Sequence, residues 1–233
     1  MQYVETGEKA VDVLVMVPQA RGQTRYTMFE IALQDMQAPL GSNLARIQGI
    51  SGIAAGVNQV IKTTKASYYW FIDDDHWFDV QVLLKLLRHK LPVVVAVTMM
   101  KEPPFTPVII QGIKKDDEGF EQHIPYQLID MTNKYGLQPI FASGRPGMLV
   151  AREVFEKIPP PWFILGHFNP EYPAEDLYFC KLLREHGIQL FADFDTFTGH
   201  IGPVAIIPHR LPDGRVVPAL RWDNGKMVIL GRA

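Results

Sequence analysis

The first hundred residues alternate between short apolar runs and stretches whose apolar residues recur at helical spacing, and no other feature limits the fold as tightly. The run "VDVLVMVP", starting at Val11 and closed by Pro18, reads as a buried strand rich in valine. A polar loop, "QARGQTR", follows. Tyr26 to Met36 then carries apolar residues at helical spacing, and "SNLARIQG" offers a second short strand. Ile53, Val57, Val60 and Ile61 describe an amphipathic helix with Ser51 placed as its N-cap. After the aromatic run "YYWFI", Val80, Leu83, Leu84 and Leu87 form another helical stripe, which Asp79 is placed to cap. "VVVAV", directly after Pro92, is continuously apolar, the pattern of a strand covered on both faces. This order predicts an α/β layered fold with a mostly parallel sheet flanked by helices.

The remainder is less regular. Lys101 to Pro139 contains "KEPPFTP" and "KKDDEG" and reads as loops and a meander across the sheet. "MLVAREVFEKI" reads as a strand running into a helix, and "PAEDLYFCKLLREHG" as a helix with Leu177, Cys180 and Leu183 three apart, stopped by Gly187. Gln189 to Phe194 reads as a further strand. Two turn signals, "PDGR" and "DNGK", predict a terminal β-hairpin or small meander. The expected organisation is one domain over residues 1–202, with residues 203–233 as a β extension packed on it.

A net charge of -2 gives no electrostatic argument for a nucleic-acid or membrane partner. The single cysteine, Cys180, can form neither an internal disulfide nor a zinc cluster. With a polar start and no apolar run approaching a membrane span, the expectation is a cytoplasmic enzyme or binding protein.

The stretch "YYWFIDDDHWF" runs a strand straight into three carboxylates, Asp73, Asp74 and Asp75. Adjacent like charges repel and each resists leaving water, so a positive partner is expected there. In α/β sheets ligands sit outside the carboxyl ends of the strands, and hard carboxylate oxygens suit Mg2+ or Mn2+. A helix cap followed by solvated loop carboxylates accounts for the triplet equally well on its own. Glu175 and Asp176, in "AEDLYFC", stand where a helix macrodipole favours negative charge. His200, in "TGHIG", is either structural or a partner for Mn2+.

Taken in order, these parts resemble the GT-A-fold glycosyltransferases, close to the family 2-like nucleotide-sugar transferases. The resemblance covers about Val11 to Gly202. It rests on "DVLVMVP" as the nucleotide-binding strand, "YYWFIDDD" as the strand bearing a D-x-D motif, "SGRPGMLVAREVFEKI", the acidic pair in "AEDLYFC", and "GHIG". It implies that Asp73 and Asp75, completed by His200, hold Mn2+ or Mg2+ against the diphosphate of a nucleotide-sugar donor such as a UDP- or GDP-sugar. Asp176, with Glu175, falls where inverting members keep the general base. Pro18, Gln19, Arg21, Asp74 and Gly144 would lie beside the nucleotide sugar. Many relatives carry an Arg-Asn pair in the helix before D-x-D. Here Val57 replaces the arginine and Asn58 is the matching residue, leaving Arg21, Arg25 or Arg145 to supply diphosphate contacts.

On this reading the chain is a metal-dependent glycosyltransferase that moves a sugar to an acceptor hydroxyl. Trp162 and Phe163, after "PPP", either wall an acceptor sugar or pack in the core. Trp77 and His76 either line the site or pack beneath it. A nucleotidyltransferase and a catalytically inactive nucleotide-sugar-binding module are the alternatives. The acceptor is open among saccharide, lipid-linked sugar, protein and nucleic acid.

Overall fold

The computed structural model describes residues 1–6, 11–19, 26–48, 53–101, 105–115, 121–165, 174–202, 204–221 and 226–230, with backbone only at 113–115 and 121–127. Along the chain, β1 (Gln2–Val4) is followed by β2 (Val13–Gln19), α1 (Thr27–Asp35), β3 (Gln37–Pro39), β4 (Asn43–Gln48) and α2 (Ile53–Thr63). Next come β5 (Tyr68–Phe71), β6 (His76–Phe78), α3 (Val82–Arg88), β7 (Val93–Val97), β8 (Ile109–Lys115) and β9 (Glu121–Leu128). β10 (Leu137–Ile140), β11 (Ala142–Ser143), β12 (Met148–Ala151), α4 (Arg152–Lys157) and α5 (Glu175–Glu185) lead to β13 (Leu190–Ile201). β14 (Ala205–Arg210), β15 (Val216–Arg221) and β16 (Met227–Ile229) end the described chain. The Ser51 cap and the "DNGK" turn expected from sequence lie outside the described residues.

Side-chain alternation along the strands divides the core into two layers. Val13, Val15 and Val17 of β2, with Trp70 and Ile72, face α1 and α3 through Phe29, Leu33, Val82, Leu83 and Leu86. Leu14 and Met16, with Tyr69 and Phe71, face α2, α4 and α5 through Val57, Ile61, Phe155, Phe179 and Leu183. Both faces of β2 and β7 are covered, which is why β7 is apolar throughout and β2 is apolar as far as Pro18. In α3 the buried stripe is Val82, Leu83 and Leu86, and Val80 is exposed. The Asp79 carboxylate accepts from Gln81 N at 2.9 Å and its carbonyl from Val82 N at 3.1 Å, a turn that delays the helix and rotates its face from the expected one.

Among the described residues eleven strands form one sheet, with the path β16-β15-β14-β13-β7-β12-β5-β2-β4 and with β10 and β6 also paired to β13. The sheet is mixed, not mostly parallel. β2 runs parallel to β4 and β5, and β7 parallel to β13, but β12 lies antiparallel between β5 and β7. The reason is the excursion after β7. The chain leaves the carboxyl end of β7 and builds the β8–β9 hairpin with β11. It then re-enters from the same end, so β12 can only run backwards. β14 to β16 continue the sheet by antiparallel pairing from β13.

This re-entry places the loop before β12 against the aspartates. Gly147 makes the turn with φ +83, its N–H donating to Phe71 O at 2.7 Å and its carbonyl accepting from Ala96 N at 3.1 Å. A Cβ at Gly147 would lie 3.2 Å from Ala96 Cβ in a backbone region that disfavours L side chains. β13 passes an irregularity between Asp193 and Phe197, and its last residues pair with β6, aligning His200 with His76. The strand expected to end at Phe194 therefore carries His200 within it. The Gly147→Ala variant is expected to lose about 2 kcal/mol, a fall in melting temperature of roughly 4–8 °C in a chain of this size. A melting temperature equal to the parent's would show that the turn relaxes without cost.

Candidate functional site

The three aspartates follow β5 in a tight turn in which His76 N–H donates to Asp73 O at 3.2 Å and Ile201 N–H to Asp75 O at 2.6 Å. Three carboxylates emerging from a strand whose last three residues are buried are shared out in three directions. Asp74 is buried and accepts from Gln19 Nε2 at 3.2 Å. Burial pushes its carboxyl up by more than that hydrogen bond offsets, with Asp75 and Asp73 adding to the rise. Gln19, the last residue of β2, is itself buried.

Asp73 meets Arg145, whose Nη2 donates to it at 3.0 Å while Nη1 donates to Glu175 Oε1 at 3.0 Å. Arg145 is only 5% exposed. Burial works against its charge, and the attraction of Asp73 and Glu175 more than restores it. The Arg145 backbone N–H also points to Asp176 Oδ2 at 3.3 Å, and Leu177 N–H to Asp176 Oδ1 at 2.8 Å. Burial first, and then the adjacent Glu175, push the Asp176 carboxyl up to about 6, against the pull of Arg145. Gly144 leaves space beside it: a Cβ there would stand 3.5 Å from Asp176 Oδ2 and 3.0 Å from Val108 Cγ1.

Asp75 turns to two histidines. Its Oδ1 lies 3.0 Å from His76 Nδ1, and its Oδ2 lies 3.2 Å from His200 Nε2 and 3.2 Å from Lys101 Nζ. Burial alone would raise this carboxyl, but the hydrogen bonds from His200 and His76 outweigh it and hold the group well below the ordinary carboxylate range. The cross-strand rings of His76 and His200 are 4.4 Å apart.

Tautomer chemistry tests whether a metal fits. His200 Nδ1 is 3.2 Å from Met99 O, a group that only accepts, so Nδ1 carries a proton. Nε2 then meets Asp75 Oδ2 either as the N–H of an imidazolium or as a lone pair that requires a cation between them. A backbone carbonyl holding the outer nitrogen is the usual support of a metal-bound histidine. Asp75, His76 and His200 offer ligand atoms within 4.8 Å of one another. Neighbouring ligands at right angles on an ion about 2.1 Å away lie about 3 Å apart, close to the separations found here. The residues fit a small divalent ion. Asp75 and His200 present the ligand atoms, and His76, fully buried, braces Asp75 from the other oxygen. His76 Nε2 has no hydrogen-bond partner among the described residues.

A scan against protein-family models finds no match, and no curated protein sequence matches the chain. Among solved structures the chain is similar to A197 from STIV, with a TM-score of 0.57 at 13% identity over 96% of each chain. The two share a fold. Two structures of S. aureus TarS align with a TM-score of 0.46, at 10% and 11% identity. The chain spans 58% of the shorter TarS chain, residues 1-349, and 36% of the longer. At TM-scores below 0.5 these two alignments decide nothing about this chain.

Of the residues singled out from sequence, Asp75 and His200 come together across 125 positions, and Asp73 joins Asp176 and Glu175 through Arg145. The Asp73 carboxylate pairs with Arg145 and that of Asp75 with the histidines, so the two outer aspartates aim their side chains at different partners. Arg145, a candidate for diphosphate contacts, is engaged with carboxylates. Pro18 lies buried in β2 beside Gln19, while Arg21 and Arg25 fall outside the described residues. Two residues have other roles. The Asn58 amide donates to Phe163 O at 2.7 Å and accepts from Trp162 N at 2.9 Å and Phe163 N at 3.2 Å, clamping a loop where a nucleotide contact was expected. Trp162, expected on the acceptor side, is 5% exposed, donates to Ile158 O at 2.7 Å and packs edge-on to Phe155. The core reading of Trp162 and Phe163 is the one the geometry supports. Lys101 was not singled out at all, because only the return of His200 to Met99 shows that its loop overhangs Asp75.

Asn58→Ala would strand three buried backbone groups, and a loss of about 2–4 kcal/mol is expected. Thermal melts and nucleoside diphosphate titrations on this variant separate the roles: the melting temperature falls and affinity per folded molecule holds. Lost affinity with an unchanged melt would return Asn58 to the binding site.

Proposed function

We propose that this protein is a metal-dependent transferase that moves a sugar from a nucleoside diphosphate sugar to an acceptor hydroxyl, with inversion at the anomeric carbon. One observation carries the reading. A cation-seeking pair, Asp75 Oδ2 and His200 Nε2, lies beside an aspartate, Asp73, that Arg145 ties to a carboxylate of raised basicity, Asp176. The ordered motif set of the sequence supports the same assignment.

Each residue has a task derived from its surroundings. Asp75 and His200 would hold Mn2+ or Mg2+, and His76 and the Met99 carbonyl keep their ligand atoms aimed. The bound ion would supply a Lewis acid to the diphosphate leaving group. Asp176 accepts the proton of the acceptor hydroxyl at Oδ2, the oxygen that Gly144 leaves uncrowded. Its raised pKa makes it a stronger base than an ordinary carboxylate while still ionised at neutral pH. Arg145 keeps that carboxylate from rising further and fixes its distance from the aspartate turn. A base on the face opposite the departing diphosphate gives inversion.

Screening nucleotide sugars for Mn2+-dependent hydrolysis or transfer tests the reading, with NMR of the product anomer reporting its stereochemistry. In Asp75→Asn, Mn2+-dependent binding of the nucleoside diphosphate is expected to vanish with the fold retained. Unchanged metal-dependent affinity would remove Asp75 from the site.

Asp176→Asn separates a base from a charge that merely suits a helix start. As a base, its loss lowers the transfer rate by roughly 10²–10⁴-fold with donor affinity held, and the parental rate falls as pH drops through about 6. The fold disfavours the ionised form, so the penalty is absent below about pH 4 and complete above about pH 7. The asparagine variant is therefore expected to gain about 1–3 kcal/mol at pH 7.5 and nothing at pH 4. A helix-start charge predicts the reverse, a loss of about 0.3–1 kcal/mol and an unchanged rate.

A further inference from the structure

Lys101 places its ammonium 3.2 Å from Asp75 Oδ2, the oxygen that also faces His200 Nε2 at 3.2 Å. The backbone leading into it is well fixed. Met100 N donates to Thr106 O at 2.8 Å, Val108 N donates to Thr98 O at 2.9 Å, and Met99 pairs with Pro107, so the segment leaving β7 folds back on itself. His200 Nδ1 ties the same segment to the site through Met99 O at 3.2 Å. The side chain is the loose part: that of Lys101 is 46% exposed, against 18% for that of Asp75. A fixed backbone with a long, half-exposed, flexible side chain is how a charge is delivered to a site and withdrawn from it without refolding.

The ammonium stands where the pair of Asp75 and His200 calls for positive charge, and a divalent ion on Asp75 Oδ2 would require the same lone pairs. A divalent ion on that oxygen takes up its lone pairs and repels the ammonium beside it, so the ion weakens the hold of Asp75 on Lys101. We propose that Lys101 is a tethered counter-ion that yields Asp75 Oδ2 to the divalent ion and passes its charge to the anionic group the ion brings in. The inference rests on the metal site proposed above and adds an order of events to it. Without metal the lysine adds a countercharge to a part-buried carboxylate that also meets His76 and His200. With metal the displaced ammonium, still held by its backbone within side-chain reach of the ion, meets a diphosphate as an additional cation.

The consequence is a reversal of sign. Removing the ammonium should help Mn2+ alone and harm the nucleoside diphosphate that follows it. Mn2+ binding to Lys101→Gln, followed by electron paramagnetic resonance without nucleotide, is expected to tighten roughly 3- to 10-fold, the scale of a part-exposed ion pair plus the lost repulsion. At saturating Mn2+, titration calorimetry with UDP or GDP is expected to show affinity weakened roughly 10-fold in the same variant, with Lys101→Arg close to the parent. Equal Mn2+ affinity in Lys101→Gln and the parent would overturn the displacement. A nucleoside diphosphate affinity that stays level, or improves alongside that for Mn2+, would overturn the transfer of charge. Asp75→Asn, measured in parallel, distinguishes the two levels: Mn2+ binding that survives in that variant removes the metal site itself. Binding lost there but indifferent to Lys101 removes only this inference.

Discussion

Three adjacent carboxylates at the buried end of a strand cannot share one partner, and the site is organised around that constraint. Each aspartate needs its own source of positive charge or hydrogen-bond donors, because desolvation penalises every one of them. Asp74 turns inward to the Gln19 amide, Asp73 outward to Arg145, and Asp75 across to His76, His200 and Lys101. The three carboxylates therefore reach β2, the loop before β12, β6, β13 and the segment after β7. Removing any one partner would leave a poorly solvated carboxylate behind, so the aspartate turn fastens these elements together as well as forming a site.

The mixed sheet makes this sharing possible. Had the chain crossed over after β7 and returned parallel, the segment before the next strand would have arrived at the opposite end of the sheet. Instead the antiparallel entry of β12 keeps 144–147 at the carboxyl ends of β5 and β7, and Arg145 arrives beside Asp73. The same guanidinium reaches Glu175 at the start of α5, so one buried cation sets the spacing between the aspartate turn and the carboxylate assigned as base. β13, in turn, overruns its parallel pairing with β7 and carries His200 across to β6.

Local signals were sufficient for the parts built from continuous sequence. Apolar runs marked β2, β5 and β7, glycine marked the end of α5, and the turn residues marked the terminal strands. The aspartate run at a strand end and the histidine between glycines were also legible, because unusual residue types in tight spacing stand out. Strand direction was not, since an apolar run looks the same whether its strand enters parallel or antiparallel. The roles of Asn58 and Trp162 are open in the sequence for a related reason: an amide and an indole serve a buried loop or a ligand equally well, and only their partners decide. Lys101 carried no signal, as a lysine at a loop tip is ordinary until the register of β13 brings His200 to Met99. What the sequence lacked was the pairing of distant strands.

The central claim is that Asp75 and His200 present paired lone pairs to a divalent ion. The most direct test is a crystal structure of the Mn2+-soaked protein with anomalous scattering data collected above the manganese edge. One strong anomalous peak is expected between Asp75 Oδ2 and His200 Nε2, with His200 Nδ1 still donating to the Met99 carbonyl. Manganese held by Asp73 and Asp74 with His200 uninvolved, or no bound manganese with Asp75 intact and accessible, would contradict it.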